Sequence, residues 1–263
     1  MNLFSNTGGL PPSPPRSPPK RKRDRDDAGK GPQSWKKHRL FGLAFAQFHA
    51  FRRKFPNARC VIIDFNAGDG EGVDLAQGDL FGPNRSRATA ELAAQQAATD
   101  NVFVILCEKQ ADRFAKLKEK YGTTPRVTII RDHRDVVPLV VGFDYAIVLS
   151  DPCGPAGHGE DILGAVSRAV PKADFIIALN LHGVNRINGT HQSAEQVGRA
   201  GKANATSRER HGWKNDPYRW QALLGRRHMA SSRVIPMSST FTLQMLVIAD
   251  FVVVKDSEFE VLA

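Results

Sequence analysis

Five short apolar runs, separated by stretches of helical pattern, constrain this chain more than any other feature. They are RCVIIDF (59–65), NVFVILCEK (101–109), RVTIIRD (126–132), DYAIVLSDP (144–152) and DFIIALNL (174–181). A continuous apolar run of this length, without alternation, is a strand buried on both faces. Helical patterns such as RSRATAELAAQQAAT, QADRFAKLKEKY and GEDILGAVSRAV fill the gaps. The expected fold is therefore α/β, a doubly wound, mostly parallel Rossmann-like sheet with helices on both faces. SRVIPM and FTLQMLVIADFVVV follow at the end, too close together to hold a helix between them. They read as a C-terminal antiparallel hairpin closing the sheet edge.

The remaining segments organise around that frame. Residues 1–33 are rich in Pro, Ser, Lys and Arg and nearly lack apolar residues after Leu10, so they read as a disordered tail. In SWKKHRLFGLAFAQFHAFRRKF, Trp35, Leu40, Leu43, Phe45, Phe48 and Phe51 recur at near-helical spacing, which predicts an amphipathic helix from Ser34 to about Phe55. NAGDGEGVDLAQGDLFGPN reads as a long Gly-rich loop. A basic insertion at about 183–230 interrupts the rhythm. Its end, DPYRWQALLGRRHMA, predicts a helix with Asp216 as N-cap and Pro217 in the first turn. Residues 34–263 are taken as one domain.

Charge is distributed unevenly. Residues 1–60 carry 14 Lys and Arg against 3 Asp and Glu, and residues 185–233 carry 10 against 3; the remainder carries 13 against 21. Two basic regions on an acidic body favour a polyanionic partner, most simply nucleic acid, DNA or RNA. The first region is as readily a solubilising tail. No run of eighteen apolar residues and no N-terminal apolar core of a signal peptide is visible, so no membrane association is expected. A cytoplasmic location follows, or a nuclear one through KRKR in a eukaryotic host. Cys60, Cys107 and Cys153 form no CxxC pair, and neither zinc nor a disulfide framework is expected.

In open α/β sheets ligands bind beyond the carboxyl ends of the strands. Four strand ends carry distinctive residues here: Asp64 with the glycine-rich Asn66-Ala67-Gly68-Asp69-Gly70, then Glu108, then Asp132, then Asp151 before Pro152-Cys153-Gly154-Pro155. Glycines let a backbone approach a ligand closely. A carboxylate such as Glu108 accepts from both hydroxyls of a ribose. Asp132 reads either as a ligand contact or as a helix cap. Each acid alone is more often structural; four in order along one such pattern argue for a site.

Together these stretches resemble the class I S-adenosylmethionine-dependent methyltransferases. IIDFNAGDGEG is similar to the family's first motif, ILCEK to its acidic second, IIRD to its third and VLSDPCGP to its catalytic fourth. The resemblance spans residues 59–182. A looser similarity, to the three-Cys-motif partner and phage-type methyltransferases, rests on the aromatic helix before the first motif, on LFGPNRSRATAEL and on PYRWQALLG. The resemblance implies S-adenosylmethionine as cofactor, held by Asp64 at its ammonium, by the backbone of Asn66, Ala67, Gly68 and Gly70 under its methionine part, by Glu108 at the ribose and by Asp132 at the adenine. It implies Asp151 and the Pro152 carbonyl as acceptors for a target amino group on a nucleic-acid base. Where an aromatic residue normally follows to stack on that base, this chain has Gly154-Pro155; Trp213, Tyr218 or Trp220 then supply the stacking. Pro152-Cys153 also resembles the turn of cytosine-C5 methyltransferases, where the thiolate attacks the ring. Cys153 reads first as a small apolar filler, the usual place of a free Cys, and second as that nucleophile. A catalytically idle module of the same fold, binding nucleic acid or protein, is the alternative of another class.

Overall fold

The computed structural model describes residues 34–74, 85–86, 88–151, 159–180, 217–225, 229–238, 241–248 and 250. The tail over 1–33 and most of the basic insertion lie outside them. The five apolar runs form five parallel strands: β1 (Cys60–Asp64), β4 (Val102–Cys107), β5 (Val127–Ile130), β6 (Tyr145–Ser150) and β7 (Lys172–Asn180). Their order is β5-β4-β1-β6-β7. β1 sits in register with both neighbours, Asp64 opposite Leu106 on one side and Leu149 on the other. The chain first builds outward from β1 through β4 to β5, then returns to add β6 and β7 on the opposite side. The point of reversal therefore lies between β1 and β6.

All five residues of β1 are buried, and they divide between two cores. Cys60 and Ile62 face one cluster, with Phe41, Phe45 and Phe48 of α1 (Ser34–Lys54) and Ala90, Ala93 and Ala94 of α2 (Thr89–Gln96). Val61 and Ile63 face the other, with Val136 of α4 (Val136–Leu139) and Leu163 and Val166 of α5 (Glu160–Ala169). Period-two side-chain direction with apolar residues on both faces is what a sheet covered on both sides requires. The remaining crossover helix is α3 (Ala111–Tyr121).

The first helix stops before Pro56, whose ring disfavours a helical residue ahead of it. Its last turn is tied down by Arg52, which is buried and donates to the Ala58 and Asp100 carbonyls, each at 2.5 Å. Phe48 and Phe51 pack on the Tyr145 ring, at 5.8 and 4.5 Å between centroids.

Three boundaries differ from the sequence reading. The Gly-rich loop carries a short ladder at its base, β2 (Val73–Asp74) pairing antiparallel with β3 (Arg85–Ser86). Arg85 and Ser86 are thus extended, and the helix expected from residue 85 begins at Thr89. Further on, α6 (Pro217–Leu224) ends at Gly225, where φ is +61°, a conformation that glycine adopts without strain and that terminates helices. Met229 and Ala230, expected in that helix, open strand β8 (Met229–Ser238), and β9 (Phe241–Ile248) follows. Among the described residues no helix is long and apolar enough to cross a membrane.

Candidate functional site

The chain leaving β1 keeps the ladder for a few residues before it diverges. Phe65 N–H donates to Leu149 O (3.0 Å) and Ala67 N–H to Cys107 O (3.1 Å), so the loop is fixed to β6 and β4 at once. Asp64 is 2% exposed, and its Oδ1 accepts from Asn66 N–H at 3.0 Å. Gly68 and Gly70 both have positive φ, +66° and +72°. Their surroundings differ. A side-chain carbon on Gly68 would meet nothing within 4 Å, whereas one on Gly70 would fall 2.8 Å from the Tyr121 ring and 2.9 Å from Leu117. Gly68 therefore borders open space, and Gly70 is where the loop packs on α3. The Gly70 carbonyl accepts from Lys120 Nζ (2.6 Å) and from Tyr121 Oη (3.4 Å).

Glu108 follows β4, and its N–H donates to Ile130 O at 3.1 Å. It is 8% exposed. Its Oε1 accepts from Gln110 N–H at 2.7 Å, and the Gly68 N–H lies near enough to favour its charged form. Burial raises its pKa, against the lowering effect of these two N–H groups and of Arg113. The ends of β1 and β4 are joined by the Ala67–Cys107 backbone bond, beside a buried carboxylate with a strong call on cationic or hydroxylic partners.

Asp151 follows β6. It is half-buried, and its N–H donates to Asn66 Oδ1 at 3.0 Å. This bond spans the point of strand reversal, where open sheets of this kind hold their ligands. Asp64, Asn66 and Asp151 are in this way linked by hydrogen bonds into one rim, and the Ala67–Cys107 bond brings Glu108 alongside it. The tie between Asn66 and Asp151 runs through a side chain expected to contribute only its backbone.

Asp132, expected either as an adenine contact or as a helix cap, stands just after β5. It caps the 3-10 turn His133–Asp135, accepting from Arg134 N–H at 2.9 Å. The Arg134 guanidinium grips both carboxylate oxygens, with Nε 3.0 Å from each and Nη2 on Oδ2. That pairing holds the carboxyl well below the usual carboxylate range. The capping alternative describes this geometry. The neighbouring His133 was not singled out in the sequence. Its ring stands edge-on to Phe65 at 5.3 Å and 84°. Burial lowers its pKa, with Asp132 opposing, so it favours the neutral form. The one sequence signal for it was its place directly after a strand-end acid.

Trp220, expected to stack on a base, is fully buried in the core beside α5, together with Leu224. Both faces of its ring are covered, and it serves packing instead. Pro152, Cys153 and Trp213 lie outside the described residues, as does the side chain of Tyr218. Among the described residues no group of three or more His, Cys, Asp or Glu could hold a metal ion.

No family model and no curated protein sequence matches the chain. Solved structures with a similar fold do exist. Structural neighbours of this chain include ribosomal RNA methyltransferases. Protein LPL1258 from Legionella pneumophila is 9% identical, with 90% of each chain covered and a TM-score of 0.50. The 16S rRNA (adenine(1408)-N(1))-methyltransferase from Catenulisporales acidiphilia, as its W203A mutant, is 18% identical over 87% of this chain and 97% of its own, with a TM-score of 0.38. A putative rRNA methylase from Clostridium thermocellum is 10% identical over 78% and 96%, with a TM-score of 0.39. At 9% identity the likeness to the Legionella protein establishes a common fold and nothing further.

Proposed function

We propose that this chain is an S-adenosylmethionine-dependent methyltransferase acting on nucleic acid, with the amino group of a base as the favoured target. The observation that carries this reading is the convergence of Asp64, Asn66, Glu108 and Asp151 on one rim at the strand reversal. An acidic rim suits a ligand that bears an ammonium and a sulfonium, and the open space beside Gly68 leaves the loop backbone accessible to it. When bound, the cofactor supplies a methyl group on positively charged sulfur, open to in-line displacement. Asp64 accepts from its ammonium, and Glu108 from the two ribose hydroxyls. Asp151 and the Pro152 carbonyl accept hydrogens from the target amine and so direct its lone pair. The chain's contribution is mostly placement, which is worth about 7 kcal/mol or more of a barrier. Asp132 keeps its assignment to the adenine, with Arg134 fixing the orientation of its carboxylate.

The C-terminal strands support the same reading. We take β8 and β9 as a hairpin closing the sheet edge. β9 pairs antiparallel with β7, Phe175 opposite Ile248 through Asn180 opposite Leu243, and with β8 on its other side. Asp250 assists this placement, accepting from Ala173 N–H (3.0 Å) and donating its N–H to Asp174 (2.6 Å). An antiparallel strand inserted beside β7 departs from the 3-2-1-4-5-6 order of dinucleotide-binding sheets.

The test is titration calorimetry with S-adenosylmethionine, alongside labelled methyl transfer to DNA, RNA and protein pools. Asp64→Ala should abolish cofactor binding. Asp151→Ala should keep it and lower transfer about 100-fold or more. A wild-type chain that binds no cofactor yet binds nucleic acid in a salt-sensitive way would be the idle module instead.

A further inference from the structure

We infer that Asn66 is a positioning residue for the catalytic turn, acting through the Asp151 backbone and not as a cofactor ligand. The inference rests on the methyltransferase reading and extends it to a role that the first motif's backbone does not supply.

Asn66 has its own N–H on Asp64 Oδ1, and both neighbours along the chain are tied to the sheet, Phe65 to Leu149 and Ala67 to Cys107. Its backbone is therefore held on three sides. Its side-chain carbonyl then crosses the strand reversal to accept from Asp151 N–H at 3.0 Å. The residue that follows matters as much. Pro152 has no N–H, so Asp151 provides the last backbone donor ahead of the proline as the chain leaves β6. A residue before proline is also restricted to extended conformations. Fixing the Asp151 amide thus restricts the directions in which the Asp151 carboxylate can be presented. An apolar residue of similar size at 66 would keep the loop's backbone bonds and leave that amide without its acceptor.

Asn66→Leu removes the acceptor and keeps the bulk; Asn66→Asp keeps an acceptor at the same reach. Two measurements separate the possibilities. Amide hydrogen exchange at Asp151, which needs no cofactor, should lose protection in Asn66→Leu and keep it in Asn66→Asp. In saturating S-adenosylmethionine, kcat of Asn66→Leu should fall roughly tenfold or more, with the cofactor Kd within about threefold of wild type, and Asn66→Asp should recover most of the rate. Unchanged exchange at Asp151 in Asn66→Leu would overturn the inference. So would an unchanged kcat, or a loss of cofactor affinity that matched the loss of rate in both variants. Absence of cofactor binding by the wild type would overturn the methyltransferase reading, and the exchange result would still decide whether Asn66 anchors Asp151.

Discussion

Glu108 shows how a carboxylate is kept against the fold's own preference, at a cost that the proposed ligand would offset. Burial raises its pKa, so the folded state favours the protonated acid relative to the unfolded chain. The sign follows from that. Its contribution to stability is full below the unfolded value near 4.5, and it is lost as pH rises through the raised folded value. At neutral pH the charge is a burden that a ligand's hydroxyls relieve. Glu108→Gln should therefore melt at the same or a higher temperature than wild type at pH 7, with the gap closing below about pH 4.5, while cofactor affinity drops. Scanning calorimetry at the two pH values checks it, and a variant that melts lower at pH 7 would sink the idea. The glycines give a sharper contrast. Gly68→Ala meets only the backbone penalty of positive φ, about 1–2 kcal/mol. Gly70→Ala adds a collision with Tyr121 and Leu117 and should cost more. Urea denaturation of the two variants should rank them in that order; equal losses would contradict the packing described for Gly70. What the sequence shows at this scale is uneven. Acids at strand ends are legible because a strand's last residue is also its exit. Which way a side chain turns from there is not: the Asp132 carboxylate went to Arg134 two residues on, and the Asn66 amide reached 85 residues ahead.

Elements were readable where one period dominates. The central strands are buried on both faces, so their residues are almost all apolar up to the polar last one, and the run needs no tertiary information to be recognised. The boundaries that moved are those set by contacts between distant residues. Arg85 and Ser86 look helical in isolation but pair with Val73 and Asp74. Met229 and Ala230 continue a helical pattern that Gly225 ends. Trp220 was drawn toward the ligand by its aromatic character and its basic neighbours, yet helix α6 turns it inward against the core that also holds Leu163 and Val166. Trp220→Ala should thus act on stability and not on recognition, costing about 3–5 kcal/mol, with nucleic-acid affinity unchanged in the fraction that remains folded. Chemical denaturation and a binding titration on the same samples separate the two; weaker nucleic-acid binding at full stability would return the residue to the substrate.

Across the whole molecule, chemistry and charge are separated in the chain. The rim that links Asp64, Glu108 and Asp151 is acidic, which suits a cationic cofactor and repels phosphates. A polyanionic substrate therefore needs attraction from elsewhere to bring a base to the Asp151 turn. The first 33 residues hold 7 Lys and Arg against 3 Asp and Glu, a net charge of one sign joined directly to helix α1. If that segment contributes phosphate contacts, its removal should weaken binding to every sequence alike and flatten the dependence of log K on log salt by up to about three. S-adenosylmethionine affinity should not change, because the cofactor rim lies within residues 64–151. Measuring binding of a fixed oligonucleotide at several salt concentrations, with the full chain and with a chain beginning at residue 34, gives both slopes. Equal slopes would assign the segment to solubility. The attraction would then have to come from the basic residues of 185–233, where charge reversal at Arg208 and Arg210 is the corresponding experiment.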